Sequence, residues 1–115
     1  MNVADILAAK NAVAISIKPN DTIQALCHLL KERKIGAAVV SRDGVTIDGI
    51  ITERDIAFAL ATKGGELASM PVSSLMTKDV ITASPTDDPG RVASTMLARS
   101  FRHIPGSDNG RYVGM

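Results

Sequence analysis

The chain states one pattern twice. Residues 15–20 read Ile-Ser-Ile-Lys-Pro-Asn and residues 81–86 read Ile-Thr-Ala-Ser-Pro-Thr, which places Pro19 and Pro85 66 positions apart. At that offset Asp21 meets Asp87, Leu26 meets Val92, Leu30 meets Met96, Ile35 meets Phe101, and Gly44 meets Gly110. One residue of slippage then brings Gly49 onto Gly114. A repeat of this length is one supersecondary unit used twice, each copy burying the face its neighbour leaves bare. Two copies are too few for a solenoid, so the expected architecture is a closed pseudo-twofold pair.

At 115 residues, each half alone would be marginal and the two must share a core. Lysine plus arginine exceed aspartate plus glutamate by one, 13 against 12. That balance gives no footprint for nucleic acid or an anionic membrane. The aromatics are Phe58, Phe101 and Tyr112, too few for a base-stacking platform. Cys27 is the single cysteine, which rules out an internal disulfide and suits a reducing cytoplasm. No apolar run approaches the ~18 residues of a membrane span, and Met1-Asn2-Val3-Ala4-Asp5 lacks the basic start of a secretory signal. A cytoplasmic protein is expected.

Periodicity places the elements. Val3, Ile6 and Leu7 sit at helical spacing in residues 3–10, and Val13 to Ile17 alternates as a short strand ended by Lys18-Pro19. Asp21 and Thr22 are both N-cap residues for a helix with apolar Ile23, Leu26, Cys27 and Leu30. Lys31, Arg33 and Lys34 crowd its last turn, and Gly36 fits the position just past its end. Ala37 to Val40 is a continuous apolar run, expected to be buried on both faces. Arg42-Asp43-Gly44 makes a turn, Val45 to Thr52 the next strand, and Ile56, Ala57, Leu60 and Ala61 a second helix ending at Gly64-Gly65. The unit therefore runs β-α-β-β-α.

Residues 66–71 are read as a connector. In the second copy Val72, Leu75 and Met76 make a short helix and Val80 to Ala83 a strand. Asp88 caps a helix with Pro89 at its first position. Asp108-Asn109-Gly110 is a tight turn before a strand from Arg111 to Met115. The partner strand is expected at 103–107, although Gly106 weakens a buried strand there.

Chemistry is best placed at Thr52-Glu53-Arg54-Asp55, where a strand turns into a helix. A helix start offers unpaired N–H groups and positive partial charge to a phosphate or ribose. Thr52 brings a hydroxyl, and Asp55 a short carboxylate able to accept two hydrogen bonds from a diol. The same four residues also spell a near capping box, Thr52 capping the helix and Asp55 reaching back. Both readings stand, and they are compatible.

With these residues in place, Gly49-Ile50-Ile51-Thr52-Glu53-Arg54-Asp55, preceded by Ile15-Ser16-Ile17-x-Pro19, resembles the CBS domain. Phe101-Arg102-His103-Ile104-Pro105 is similar to the matching segment of a second motif. The resemblance covers essentially the whole chain as a tandem CBS pair, or Bateman module. It implies an α/β fold of α+β layers with two pseudo-twofold-related β-α-β-β-α units, divided as 1–68 and 69–115, the second incomplete.

The resemblance further implies a non-catalytic sensor of adenosine-containing ligands: AMP, ADP, ATP, sometimes S-adenosylmethionine or NAD(H). Thr52 and Asp55 would hold the ribose. Adenine would lie against main chain at Ile15, Ser16 and Ile17 and at Gly36, Ala37 and Ala38. Arg54, Arg102 and His103 would approach the phosphates. The second copy has no counterpart of Thr52 and Asp55 before Met115, so one competent site at most is expected. Such pairs commonly form homodimers, with Ile6-Leu7 and Leu75-Met76 as the expected interface.

His28 and His103 lack the clustered partners of a metal site, the five methionines fill core gaps, and Ser41, Ser69, Ser73 and Ser74 show no nucleophile–base arrangement. An enzyme in its own right is not expected. The alternatives to a ligand sensor are a structural or dimerisation module with an empty cleft, and a regulatory piece of a larger enzyme or transporter.

Overall fold

The computed structural model describes residues 15–78, 80, 82, 84, 88–90, 92, 105–108 and 111–114. The expected opening helix at 3–10 lies outside them. The first copy forms a three-stranded sheet in the order β1 (Ser16–Ile17), β2 (Ala37–Val40), β3 (Gly49–Thr52). β1 and β2 run parallel, joined by helix α1 (Ile23–Arg33), and β3 pairs antiparallel to β2. Helix α2 (Glu53–Lys63) follows β3 directly.

Thr22 caps α1, its Oγ1 accepting the Ala25 N–H at 3.1 Å. Ile23, Leu26 and Leu30 form the buried stripe, with Leu29 partly buried beside it. Cys27, expected on that stripe, is exposed instead, because the buried face is centred between Leu26 and Leu30. Gly36 does not close the helix. Lys34 takes the left-handed conformation (φ 55, ψ 47), and the N–H groups of Lys34 and Ile35 bond back to Lys31 O and Leu30 O. This is a Schellman closure completed by the apolar pair Ile35 and Leu30. A non-glycine residue is strained there by about 1 kcal/mol, which frees Gly36 for another task.

β2 is buried along its length, and with Ile17, Ile51, Leu67 and Val72 it joins the α1 stripe in the core. Leu67 and Val72 come from two short 3₁₀ helices, Gly64–Ser69 and Val72–Ser74. The segment read as a plain connector is thus partly core. It is tied to the α1 entry by three main-chain bonds: Ile23 N to Met70 O, Val72 N to Asp21 O, and Ser73 N to Pro19 O.

β3 is shorter than the expected Val45–Thr52. Asp43 Oδ1 accepts the N–H groups of Val45 (2.9 Å) and Thr46 (2.7 Å), and Oδ2 accepts the Thr46 hydroxyl (2.9 Å). Those main-chain donors are spent on a local turn and cannot start a ladder. The same bonds, the Thr46 N–H foremost, hold the Asp43 carboxyl well below the usual carboxylate range. A lowered folded-state pKa adds stability above the unfolded value, and that stability is lost as pH falls. Comparing urea midpoints of the parent and Asp43→Ala across pH should therefore show a constant gap from neutral pH to about pH 5, closing below about pH 4. A gap independent of pH would remove Asp43 as the organiser of this turn.

α2 also departs from expectation. Ile56 and Ala59 are partly buried, whereas Ala57, Leu60 and Ala61 are exposed and Phe58 is 69% exposed. The helix lies against the sheet along a narrower stripe than its apolar content implies.

In the second copy the expected cap is present: Asp88 Oδ1 accepts the Gly90 N–H, and the Val92 N–H bonds Asp88 O. Val80 and Thr82 form no strand; the Val80 N–H turns back to Lys78 O. β4 (Gly106–Asp108) and β5 (Arg111–Gly114) make the hairpin, with an irregularity between Gly106 and Ser107. Of the expected strand at 103–107, residues 103 and 104 lie outside the described residues and Pro105 is not in the strand, and the disruption falls at the glycine that argued against a regular strand.

The two copies meet through equivalent loops. Thr46 pairs with Arg111, and the Tyr112 N–H bonds Val45 O at 2.8 Å. Moving Thr46 and Arg111 by the repeat offset gives Tyr112 and Val45, the neighbouring pair. The contact therefore maps onto itself, as a local twofold relation requires.

Candidate functional site

The strand–helix junction places Thr52 and Asp55. Thr52 Oγ1 accepts the Asp55 N–H at 3.2 Å, and Asp55 Oδ2 accepts the Thr52 N–H at 2.9 Å. The capping box is complete. It uses one oxygen of the carboxylate. Among the described residues Asp55 Oδ1 has no partner, and the Thr52 hydroxyl proton is likewise uncommitted. Both side chains are partly buried, whereas Glu53 and Arg54 are exposed. Structural capping and a remaining set of donors and acceptors coexist at one helix start.

Sheet register gathers the other sequence-predicted residues to the same end. Ala37 sits opposite Thr52, and the Glu53 N–H bonds Gly36 O at 2.8 Å. This is the task that keeps Gly36 out of the α1 terminus. Ser16 pairs with Val39, so Ile15 lies level with Ala38. Ile15, Gly36, Ala37, Ala38, Thr52 and Asp55 thus share one end of the sheet, while Ile17, level with Val40, points away toward the other. Because β3 is antiparallel, this end is the carboxyl end of β3 and the amino end of β1 and β2. Arg102 and His103 lie outside the described residues.

Two contributors were not legible in advance. The Tyr112 hydroxyl donates to the Ile15 carbonyl at 3.0 Å across 97 residues of sequence. Tyr112 is buried, and burial pushes its phenol up to about 12. Thr77 pairs with Ile50 on the outer edge of β3 through two 2.9 Å bonds. Nothing in local pattern marks either contact; the only hint for Tyr112 is its repeat equivalence to Thr46.

This arrangement of sheet, junction and repeat has known counterparts. The model of the family described as CBS domain matches residues 3–62 and 72–115. The chain belongs to the CBS domain family. A CBS domain-containing protein of Bacillus subtilis, YhcV, is 30% identical over 100 residues, 87% of this chain and 70% of that protein. A Methanocaldococcus jannaschii protein is 33% identical over 101 residues, yet the chain spans only 35% of its length.

Solved CBS proteins share the fold. One from Agrobacterium tumefaciens matches with a TM-score of 0.93 at 32% identity, over 99% of this chain and 90% of that one. One from Pyrobaculum aerophilum, solved with AMP, matches at 0.87 and 26% identity over 99% and 85%. A CBS pair solved with 5-methylthioadenosine and S-adenosylmethionine matches at 0.82 and 27% identity over 99% and 86%. The expected CBS-pair fold is thereby established. The family is one of regulatory modules. Among the described residues no helix is long and apolar enough to cross a membrane, and no group of side chains could hold a metal ion.

Proposed function

We propose that this chain is a non-catalytic sensor that binds an adenosine-containing ligand of the AMP, ADP or ATP class at the Thr52–Asp55 junction. The observation that carries the reading is the half-used capping box: Asp55 keeps one carboxylate oxygen and Thr52 its hydroxyl proton beside the main chain of Gly36–Ala38. A ribose diol would donate to Asp55, adenine would lie along Ile15–Ile17 and Gly36–Ala38, and Arg54, Arg102 and His103 would meet phosphate. Related CBS proteins holding AMP or S-adenosylmethionine support this ligand class. No cofactor is required. Ligand would act by favouring one packing of the units 1–68 and 69–115, which a partner or attached domain reads.

Titration calorimetry with AMP, ADP, ATP, S-adenosylmethionine and NADH tests the proposal. Saturable heat with at least one ligand is expected. Absence of heat and of any melting shift across the panel would leave the structural reading in its place.

A homodimer in the cytoplasm, with or without ligand, is part of this reading, and the exposed Phe58 on α2 is a side chain that would gain by burial in such a contact. Of the interface expected from sequence, Leu75 and Met76 are partly buried against the core, and Ile6 and Leu7 lie outside the described residues. Light scattering after gel filtration should give twice the monomer mass at tens of micromolar; monomer alone would count against the dimer.

A further inference from the structure

The longest-range side-chain bond among the described residues ends at the proposed ligand site. Tyr112 is buried in the second copy's hairpin, which is anchored through its own N–H on Val45 O and through the Arg111–Thr46 pair. Its hydroxyl reaches the carbonyl of Ile15, the residue that opens β1 at the Thr52 end of the sheet. Ile15 directly precedes the first ladder pair, Ser16 with Val39. A carbonyl has two lone pairs, and a donor on one of them fixes the direction of the other. We propose that Tyr112 is a positioning residue for ligand selection: it orients the Ile15 carbonyl toward the base, so that a hairpin of the second copy sets the base preference of a site in the first.

The inference rests on the ligand reading above, and it predicts something that reading does not. An oriented acceptor favours a base carrying an amino donor over one carrying a carbonyl. Tyr112→Phe deletes only the hydroxyl and leaves the hairpin's main-chain bonds in place. Calorimetry with AMP and IMP should show AMP weakened about fivefold in the variant, as expected for one lost hydrogen bond, with IMP nearly unchanged. The AMP-to-IMP preference would therefore narrow. A purely structural role would lower the melting temperature, and either leave both affinities alone or weaken them equally; each of those results overturns the proposal.

A second measurement needs no variant. Tyr112 is the one tyrosine of the chain, so ¹³C-tyrosine labelling gives a single ring resonance. It should shift as AMP is added, saturating in step with the calorimetric curve. A resonance unmoved at saturating AMP overturns the assignment. If the parent binds no member of the adenosine panel, the ligand reading itself fails and the inference falls with it. Binding without any Tyr112 effect removes the inference alone.

Discussion

Asp55→Asn should weaken AMP binding about 100-fold while leaving the melting temperature within a degree or two of the parent. The reason lies in how the carboxylate is divided. One oxygen accepts the Thr52 N–H at 2.9 Å, and the amide oxygen of asparagine can take over that bond. The other faces no described partner and in asparagine becomes an N–H₂ donor, which meets the hydroxyls of a diol donor to donor. Losing charge-assisted bonds and adding that mismatch costs about 3 kcal/mol, or roughly two decades of affinity. Asp55→Ala should match this loss in affinity and also lose the cap, for about 1 kcal/mol of stability. Calorimetry and thermal melts on the two variants separate the roles. Equal binding by parent and Asp55→Asn would remove Asp55 from the site, and cap-only behaviour would then be its whole function.

Gly49→Ala should be among the most destabilising single-methyl additions in the described part of the chain, at about 3 kcal/mol or roughly 10 °C in Tm. A Cβ at this buried position would lie 2.8 Å from Met76 Sδ and 2.9 Å from Thr77 O. The methionine can swing aside. The carbonyl cannot, because the Thr77 backbone is hydrogen-bonded on both sides to Ile50. Accommodating the methyl means lifting Thr77 off β3 and losing both bonds. Chemical denaturation of Gly49→Ala beside Gly65→Ala, whose Cβ would meet nothing within 4 Å, measures the effect against a neutral control. Adding Met76→Ala should restore little. Full rescue by that change would show that the side chain, and not the carbonyl, sets the barrier.

The sequence made much of this visible because periodicity and turn chemistry are local. The run Ala37–Val40 could only be a buried strand, Thr22 and Asp88 could only be useful as caps, and Thr52 with Asp55 had the spacing of a capping box. What it hid depends on neighbours distant in the chain. Gly36 looked like the terminator of α1 because glycine usually is; its carbonyl was needed by Glu53, and Lys34 took the left-handed turn. Val45 and Thr46 looked like strand residues until Asp43 claimed their N–H groups. Ala57, Leu60 and Ala61 satisfied a helical stripe that the sheet is too narrow to cover, and they lie exposed. Within the site, the residues on β2, β3 and α2 were readable, since one motif and one register place them. Tyr112 was not, because a bond across 97 residues leaves no trace in local composition.

The pairing of Thr77 with Ile50 has a consequence for how this protein behaves when divided. Both outward main-chain groups of Ile50 are taken by Thr77, and the start of β1 is held by Tyr112. Each margin of the three-stranded sheet is therefore occupied by a residue of the second family match, 72–115, beyond the end of the first at residue 62. A fragment ending there would bare two strands ready to accept another chain, which is how soluble domains begin to aggregate or to exchange segments. The second half protects the first from adding strands of its own kind, a service independent of whether any nucleotide is bound.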